Sequence, residues 1–208
     1  MMELDWLLVG ALGVETAPVL RRLEAPRPLS ARLVAGRLAG RAVGVLTCGV
    51  GPLKAERRTR DALALCAPAR VVSFGTCGAL VEGLGVGAVV TAGPLLWQHQ
   101  TVAVLAPLGQ AGAVGVVTVA EAVTDAERRA ALAASGGGVC EMEAYGVRRA
   151  APERPFGVLK VVSDLAGGDP DDPALPGGPS AVLRFKARAA ALVERRLVAA
   201  LVEGIATR

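Results

Sequence analysis

The sequence predicts an α/β fold on a largely parallel or mixed sheet. Three observations carry that expectation: short apolar runs that end near glycine, amphipathic stretches between them, and no linker that would divide the 208 residues into two units. Strands that alternate with helices and close on glycine turns are the pattern of layered α/β folds, whose ligands sit at the carboxyl ends of the strands. One domain spanning residues 1–208 is expected, with enough chain to bury a substantial core.

The elements follow in order. Leu4 to Val9 runs into Gly10 as the first strand, and a helix is expected over Glu15 to Glu24. Arg41 to Thr47 leads to Gly49. Pro52 then suits the first turn of a helix reaching Cys66, because its missing N–H has no intrahelical partner there. Arg70 to Phe74 ends at Gly75, and Val86 to Thr91 ends before Gly93. Ala113 to Val119 and Phe156 to Val162 complete the strands. Thr124 with Glu127 three residues on reads as a capping box opening a helix to Ala134. Further helices are expected over Glu143 to Ala151 and from about Ser180 to Glu203. In the last, Val182, Phe185, Ala189, Leu192 and Leu197 recur at helical spacing and mark an apolar face. The Pro/Gly/Asp stretch from Gly167 to Pro179 reads as a loop.

Composition narrows the chemistry. The chain is 52% hydrophobic and 20% charged, but only 3% aromatic, and it has a single histidine, His99. A histidine-based triad has one candidate base, a multi-histidine metal site has none to spare, and stacking platforms for single-stranded nucleic acid lack rings. The net charge of +4 comes mainly from arginines spread in ones and twos, which argues against a nucleic-acid binder. No run of about twenty apolar residues appears, and Glu3 and Asp5 follow Met1 without a basic leader, so neither a membrane span nor a signal peptide is expected. Cys48, Cys66, Cys77 and Cys140 lack metal or redox spacing and read as reduced, buried thiols of a cytoplasmic protein. Carboxylates or backbone groups are left to do the work, with no cofactor or metal expected.

The glycine clusters are informative by position. Gly49-Val50-Gly51 lacks the third glycine of a dinucleotide fingerprint, no acid follows at the ribose-binding distance, and no GK[ST] exists for a phosphate loop. Ser73-Phe74-Gly75-Thr76-Cys77-Gly78-Ala79 ends a buried strand with two glycines around a hydroxyl, so backbone N–H groups and Thr76 can approach a small polar ligand. The carboxylates fall at similar places. Glu15 lies just past the first glycine turn, Glu141-Met142-Glu143 stands between Gly136–Gly138 and an apolar helix, and Asp164 closes a strand after Ser163. Singly, each reads as a first-turn acid or a cap. Together they lie at strand ends, which converge in one α/β domain.

Gly10-Ala11-Leu12 through Glu15, Gly49-Val50-Gly51, Gly75-Thr76-Cys77-Gly78-Ala79, Glu141-Met142-Glu143-Ala144 and Val162-Ser163-Asp164 resemble, in that order, the motifs of the nucleoside phosphorylase superfamily. Within it they most resemble the methylthioadenosine/S-adenosylhomocysteine nucleosidases. The resemblance implies a three-layer α/β/α domain with a central mixed, largely parallel twisted sheet, a nucleoside substrate, and a homodimer. By similarity, Glu15 and Asp164 are the catalytic residues. Glu15 activates a water, and Asp164 faces the purine N7 and exocyclic amine. Glu143 holds the ribose hydroxyls, Met142 packs under the sugar, and Thr76 orients the nucleophile. Val50, Cys77, Gly78, Glu141 and Ser163 complete the substrate-binding set. The chemistry is coherent, because cleaving an N-glycosidic bond builds positive charge on the sugar and negative charge on the leaving base.

Three departures from the pattern bear on the substrate. The segment between Thr91 and Glu141 is shorter than in those nucleosidases, and Trp97 and His99 within it are candidates to line the shortened pocket. Val123 is the nearest counterpart of a purine-stacking phenylalanine, and an aliphatic residue loses the offset stacking of a ring, of order 1 kcal/mol. Lys160 stands where an arginine is expected, keeping the charge without the planar fork. A phosphorolytic site needs cations for the dianion, and the loop from Gly10 to Glu15 and the stretch Val72-Ser73-Phe74 before Gly75 have none, so hydrolysis is expected. A phosphorolytic enzyme and a nucleoside-binding protein without turnover remain as alternatives. Among the hydrolases, both a purine nucleosidase and an enzyme for a bulkier adenosyl or futalosine-type conjugate remain open.

Overall fold

A computed structural model of the chain describes residues 1–167 and 178–207, without the side chains of 178–184. Through the first half the chain forms β1 (Met2–Gly10), α1 (Gly13–Leu20), β2 (Glu24–Pro28), β3 (Leu33–Leu38), β4 (Arg41–Thr47), α2 (Pro52–Leu63) and β5 (Cys66–Ala79). It continues through β6 (Val89–Trp97), β7 (Gln100–Val104), β8 (Gly112–Thr118), α3 (Ala126–Ala134), β9 (Val139–Glu141), α4 (Ala144–Ala150) and β10 (Phe156–Leu165). It closes with α5 (Gly178–Leu192), a π-helical turn Val193–Leu197 and α6 (Val198–Ala206). The expected loop from Gly167 to Pro179 lies, apart from its ends, outside the described residues, as does the Val182 side chain.

The strands join in one mixed sheet, ordered β10-β6-β8-β9-β5-β1-β4-β3-β2, with β7 on β6 and a second pairing of β10 to β5. That second pairing closes β5, β10, β6, β8 and β9 into a ring, from which β1, β4, β3 and β2 extend as an open wing. At the centre β4, β1, β5 and β10 are parallel neighbours: Leu46 faces Val9, Val9 faces Ser73 and Ser73 faces Val158. Their carboxyl ends therefore lie side by side.

Period-two alternation builds the layers. From β1, Trp6 and Leu8 pack with Phe74, Val193, Leu197, Leu201 and Ile205 beneath α1 and α6, while Leu7 and Val9 pack with Ala55, Ala62 and Val147 beneath α2 and α4. Helices on both faces of a strand buried on both sides explain why β1 reads as a near-continuous apolar run. The helix pair α2 and α4 packs very closely, since a Cβ on Gly146 would overlap the backbone of Pro52. That contact brings the start of α4 against the glycine turn before α2. Among the described residues, no helix is long and apolar enough to cross a membrane.

Several expected boundaries are corrected. The first helix stops at Leu20, and Glu24 opens β2, a fully exposed strand carrying Pro26 and Pro28 that reads as a loop because edge strands tolerate proline. The strand expected to end at Thr91 continues to Trp97 and turns back into β7 through Gln98 and His99, at φ 49° and 63°. A turn with positive φ but no glycine or asparagine gives no sequence signal. Thr124 does not cap α3; Asp125 does, its Oδ1 accepting from Arg128 N at 2.7 Å. β3 and the three-residue β9 were not expected, and the closing helix is interrupted by the π turn.

Candidate active site

The carboxyl ends of β1, β5 and β10 and the start of α4 surround one cavity of about 290 Å³. Both candidate catalytic residues, Glu15 and Asp164, line it, and so do Val50, Thr76, Cys77 and Gly78 from the glycine-rich turns. Glu141, Met142 and Glu143 line it at the start of α4, and Ser163 at the end of β10. Residues from 15 to 164 in the sequence thus share one wall because the central strands are parallel and in register.

Glu15 sits in the first turn of α1, buried at 3% exposure. Its Oε1 accepts from both the amide and the hydroxyl of Thr76, each at 2.8 Å, and its Oε2 accepts from Leu12 N at 3.0 Å. Three donors hold the carboxylate in one orientation and leave one lone pair of Oε2 that they do not fill. Gly75 makes this fit possible. Its φ of +137° is unfavourable for other residues, and a Cβ there would stand 2.8 Å from Glu15 Oε1.

Glu141 and Glu143 flank a fully buried lysine. Lys160 Nζ lies 2.9 Å from Glu141 Oε2 and 3.8 Å from Glu143 Oε2. Glu141 also accepts from Thr118 Oγ1 at 2.5 Å, from Glu143 N at 3.0 Å and from Ala144 N at 2.9 Å, so it anchors the first turn of α4. Thr118 in turn accepts from Tyr145 N. Glu143 is the less engaged acid: Oε1 accepts from Gly51 N at 3.2 Å. Burial pushes its carboxyl up to about 7, against the pull of Lys160 and helped by Glu141 and Glu15. Burial alone would lower the Lys160 ammonium, but Glu141, Glu143 and Glu15 outweigh it and hold the ammonium above its ordinary value.

At the other end of the cavity, Ser163 Oγ donates to Asp164 Oδ2 at 2.5 Å and lies 3.2 Å from the Cys77 carbonyl oxygen. Asp164 Oδ1 lies so close to Gly78 that a Cβ there would sit 3.0 Å from it. All four cysteines are free and buried. Burial pushes the Cys48 and Cys140 thiols up to about 12 and raises Cys77 as well, so none is a thiolate at neutral pH.

Val123 lines the cavity, whereas Trp97 and His99 do not. Trp97 stacks on Tyr145 with centroids 4.6 Å apart and planes 8° from parallel, and His99 is exposed in the β6–β7 turn. The expectation that this pair lines the pocket is overturned because β6 runs past Thr91 and carries both residues beyond it. The aromatic ring that does line the cavity, among the described residues, is Phe185 of α5. The sequence showed it only as part of an apolar helix face. The amides of Leu12 and Gly51 carry no side-chain signature in the sequence, and Thr118 at the end of β8 has no spacing to mark it.

The sequence model of the phosphorylase superfamily matches residues 6–96. No curated protein sequence matches. Among solved structures, the S-adenosylhomocysteine nucleosidase of Streptococcus pyogenes superposes with a TM-score of 0.78 at 17% identity, covering 100% of this chain and 98% of that one. The 5′-methylthioadenosine/S-adenosylhomocysteine nucleosidase of Neisseria meningitidis gives 0.75 at 20% identity with 100% of both chains covered. A futalosine hydrolase mutant of Helicobacter pylori gives 0.73 at 16% identity, covering 97% and 99%. The resemblance seen in the motifs is borne out: the chain matches the phosphorylase superfamily over residues 6–96 and has the fold of the methylthioadenosine/S-adenosylhomocysteine nucleosidases along its whole length.

Proposed function

We propose that this cavity hydrolyses the N-glycosidic bond of a purine nucleoside or a nucleoside-derived metabolite. The observation that carries the reading is the placement of Glu15, Glu143 and Asp164 on the wall of a single cavity. Glu15, clamped by Thr76 and Leu12, orients a water with its remaining lone pair and takes the proton as the C–O bond forms. Glu143, backed by Lys160 and Gly51 N, accepts from the ribose hydroxyls and in its ionised form stabilises the cationic sugar. Met142 packs beneath that sugar. Asp164 gives a proton to the departing base, and Ser163 donating to Oδ2 stabilises the carboxylate left behind. Glu141 acts one step back, fixing Lys160 and the first turn of α4.

Water is favoured over phosphate on charge. The wall carries Glu15, Glu141, Glu143 and Asp164, and among the described residues it carries no arginine or lysine that could fork a phosphate. The futalosine hydrolase and the methylthioadenosine enzymes resemble this fold about equally, so the conjugate-cleaving reading stands beside the adenine-releasing one. The test is a panel of methylthioadenosine, S-adenosylhomocysteine, adenosine, inosine and futalosine, each with and without phosphate, followed by chromatography of released base. Release from at least one without phosphate supports hydrolysis; release only with phosphate overturns it. The family resemblance implies a homodimer, which light scattering checks.

A further inference from the structure

Arginines as far apart in the sequence as Arg70 and Arg154 meet in the fold. A second cavity, about 300 Å³, opens at the amino ends of the central strands, where Trp6, Arg70 and Phe156 replace the Gly10, Thr76 and Asp164 of the other end. Thr76 lies six positions after Arg70 along β5, a distance of about 20 Å. The wall holds three arginines, Arg70, Arg148 and Arg154, and no aspartate or glutamate.

Each guanidinium is held in place by something other than a carboxylate. Arg70 lies over the Trp6 ring, 5.5 Å from its centroid. Arg148 Nη1 donates to the carbonyls of Ala151 and Pro152, at 3.2 and 2.6 Å, and Arg154 Nη1 donates to the Pro68 carbonyl. Among the described residues none of the three has a salt bridge. Three half-buried cations around one cavity repel one another and lose hydration without a counter-charge, an arrangement that an anion relieves. A guanidinium is planar with its donors in a rigid fork, the geometry that suits tetrahedral oxyanions. We infer that this cavity binds a small phosphate or pyrophosphate group, independently of whatever the carboxylate-lined cavity cleaves.

The whole chain is titrated calorimetrically with inorganic phosphate, inorganic pyrophosphate and, as a control, chloride at matched ionic strength, and its thermal midpoint is followed in parallel. Binding of phosphate or pyrophosphate with a midpoint rise of about 3 °C at saturating ligand is expected, and chloride gives neither. Arg70→Gln, which removes a charge without touching the Pro68 contact, weakens binding at least tenfold. Arg154→Lys weakens it less, because the charge stays and only the fork is lost. Circular dichroism and nucleoside turnover of both variants establish that they fold. Absence of binding in the wild type overturns the inference, and so does equal binding by wild type and Arg70→Gln. Binding of an acidic peptide or oligonucleotide in place of the inorganic ions overturns it too.

Discussion

Glu15 and Thr76 stand 61 residues apart in sequence, yet the carboxylate of the first takes both the amide and the hydroxyl of the second at 2.8 Å. The contact joins the first turn of α1 to the end of β5 and places the proposed base at the mouth of the parallel strands. Removing one of its two donors tests its weight. Thr76→Val keeps the amide bond and loses the hydroxyl, so kcat is expected to fall by roughly 10- to 100-fold with little change in stability. Steady-state base release and a melting curve check both halves of that statement.

Gly75→Ala is a sharper probe of the same contact. The added Cβ meets Glu15 Oε1 at 2.8 Å, and the backbone is held at φ +137°. Strain of about 1–3 kcal/mol is expected together with displacement of the carboxylate. Turnover should drop far more than the melting temperature does. A variant that is destabilised yet fully active would show that the position of Glu15 is not limiting.

Lys160 tests the electrostatics behind Glu143, the proposed ribose-holding acid. Lys160→Met leaves Glu141 and Glu143 buried without their cation, a change that typically costs about 3–5 kcal/mol. The thermal midpoint should fall by roughly 10 °C. Lys160→Arg keeps the charge in a larger group and should recover part of that loss. Denaturant unfolding of the three proteins orders them.

The position of Glu143 near 7 gives a signed pH dependence. Its folded pKa lies above the unfolded carboxylate value near 4.5, so the native state binds the extra proton, and its contribution to stability declines as pH rises from about 4.5 to about 7. Activity moves the other way, because the proposed role needs the ionised form. The acidic limb of kcat/KM should have a midpoint near 7, and Glu143→Gln should abolish it along with most turnover. A limb unchanged in position by a variant with residual activity would assign it to another group.

The sequence makes the candidate wall legible because its residues are side chains at strand ends or in the turns that follow them. Glu15, Thr76, Glu143 and Asp164 were visible as acids or hydroxyls beside glycine turns, and parallel register brings such positions together. What supports them was not legible. Leu12 and Gly51 contribute backbone amides, which any residue has, and Thr118 acts from a strand end with no spacing to mark it. The ring closed by β5 and β10 depends on pairing between residues far apart in the chain, and the β6–β7 hairpin turns on Gln98 and His99 without a glycine. Phe185 shows the same limit: helical periodicity placed it on an apolar face but could not say that the face includes a cavity wall. The aromatic poverty of the chain thus leaves, among the described residues, one ring at the site, on a helix rather than on the segment around Val123.

Water activation by Glu15 and protonation of the leaving base by Asp164 are decided by base release in phosphate-free buffer from the best substrate of the panel, comparing wild type with Glu15→Gln and Asp164→Asn. The wild type is expected to release base, and each variant to lose at least about 10³-fold in kcat while keeping its fold by circular dichroism. Base release by either variant at the wild-type rate, or none by the wild type until phosphate is added, would contradict those roles.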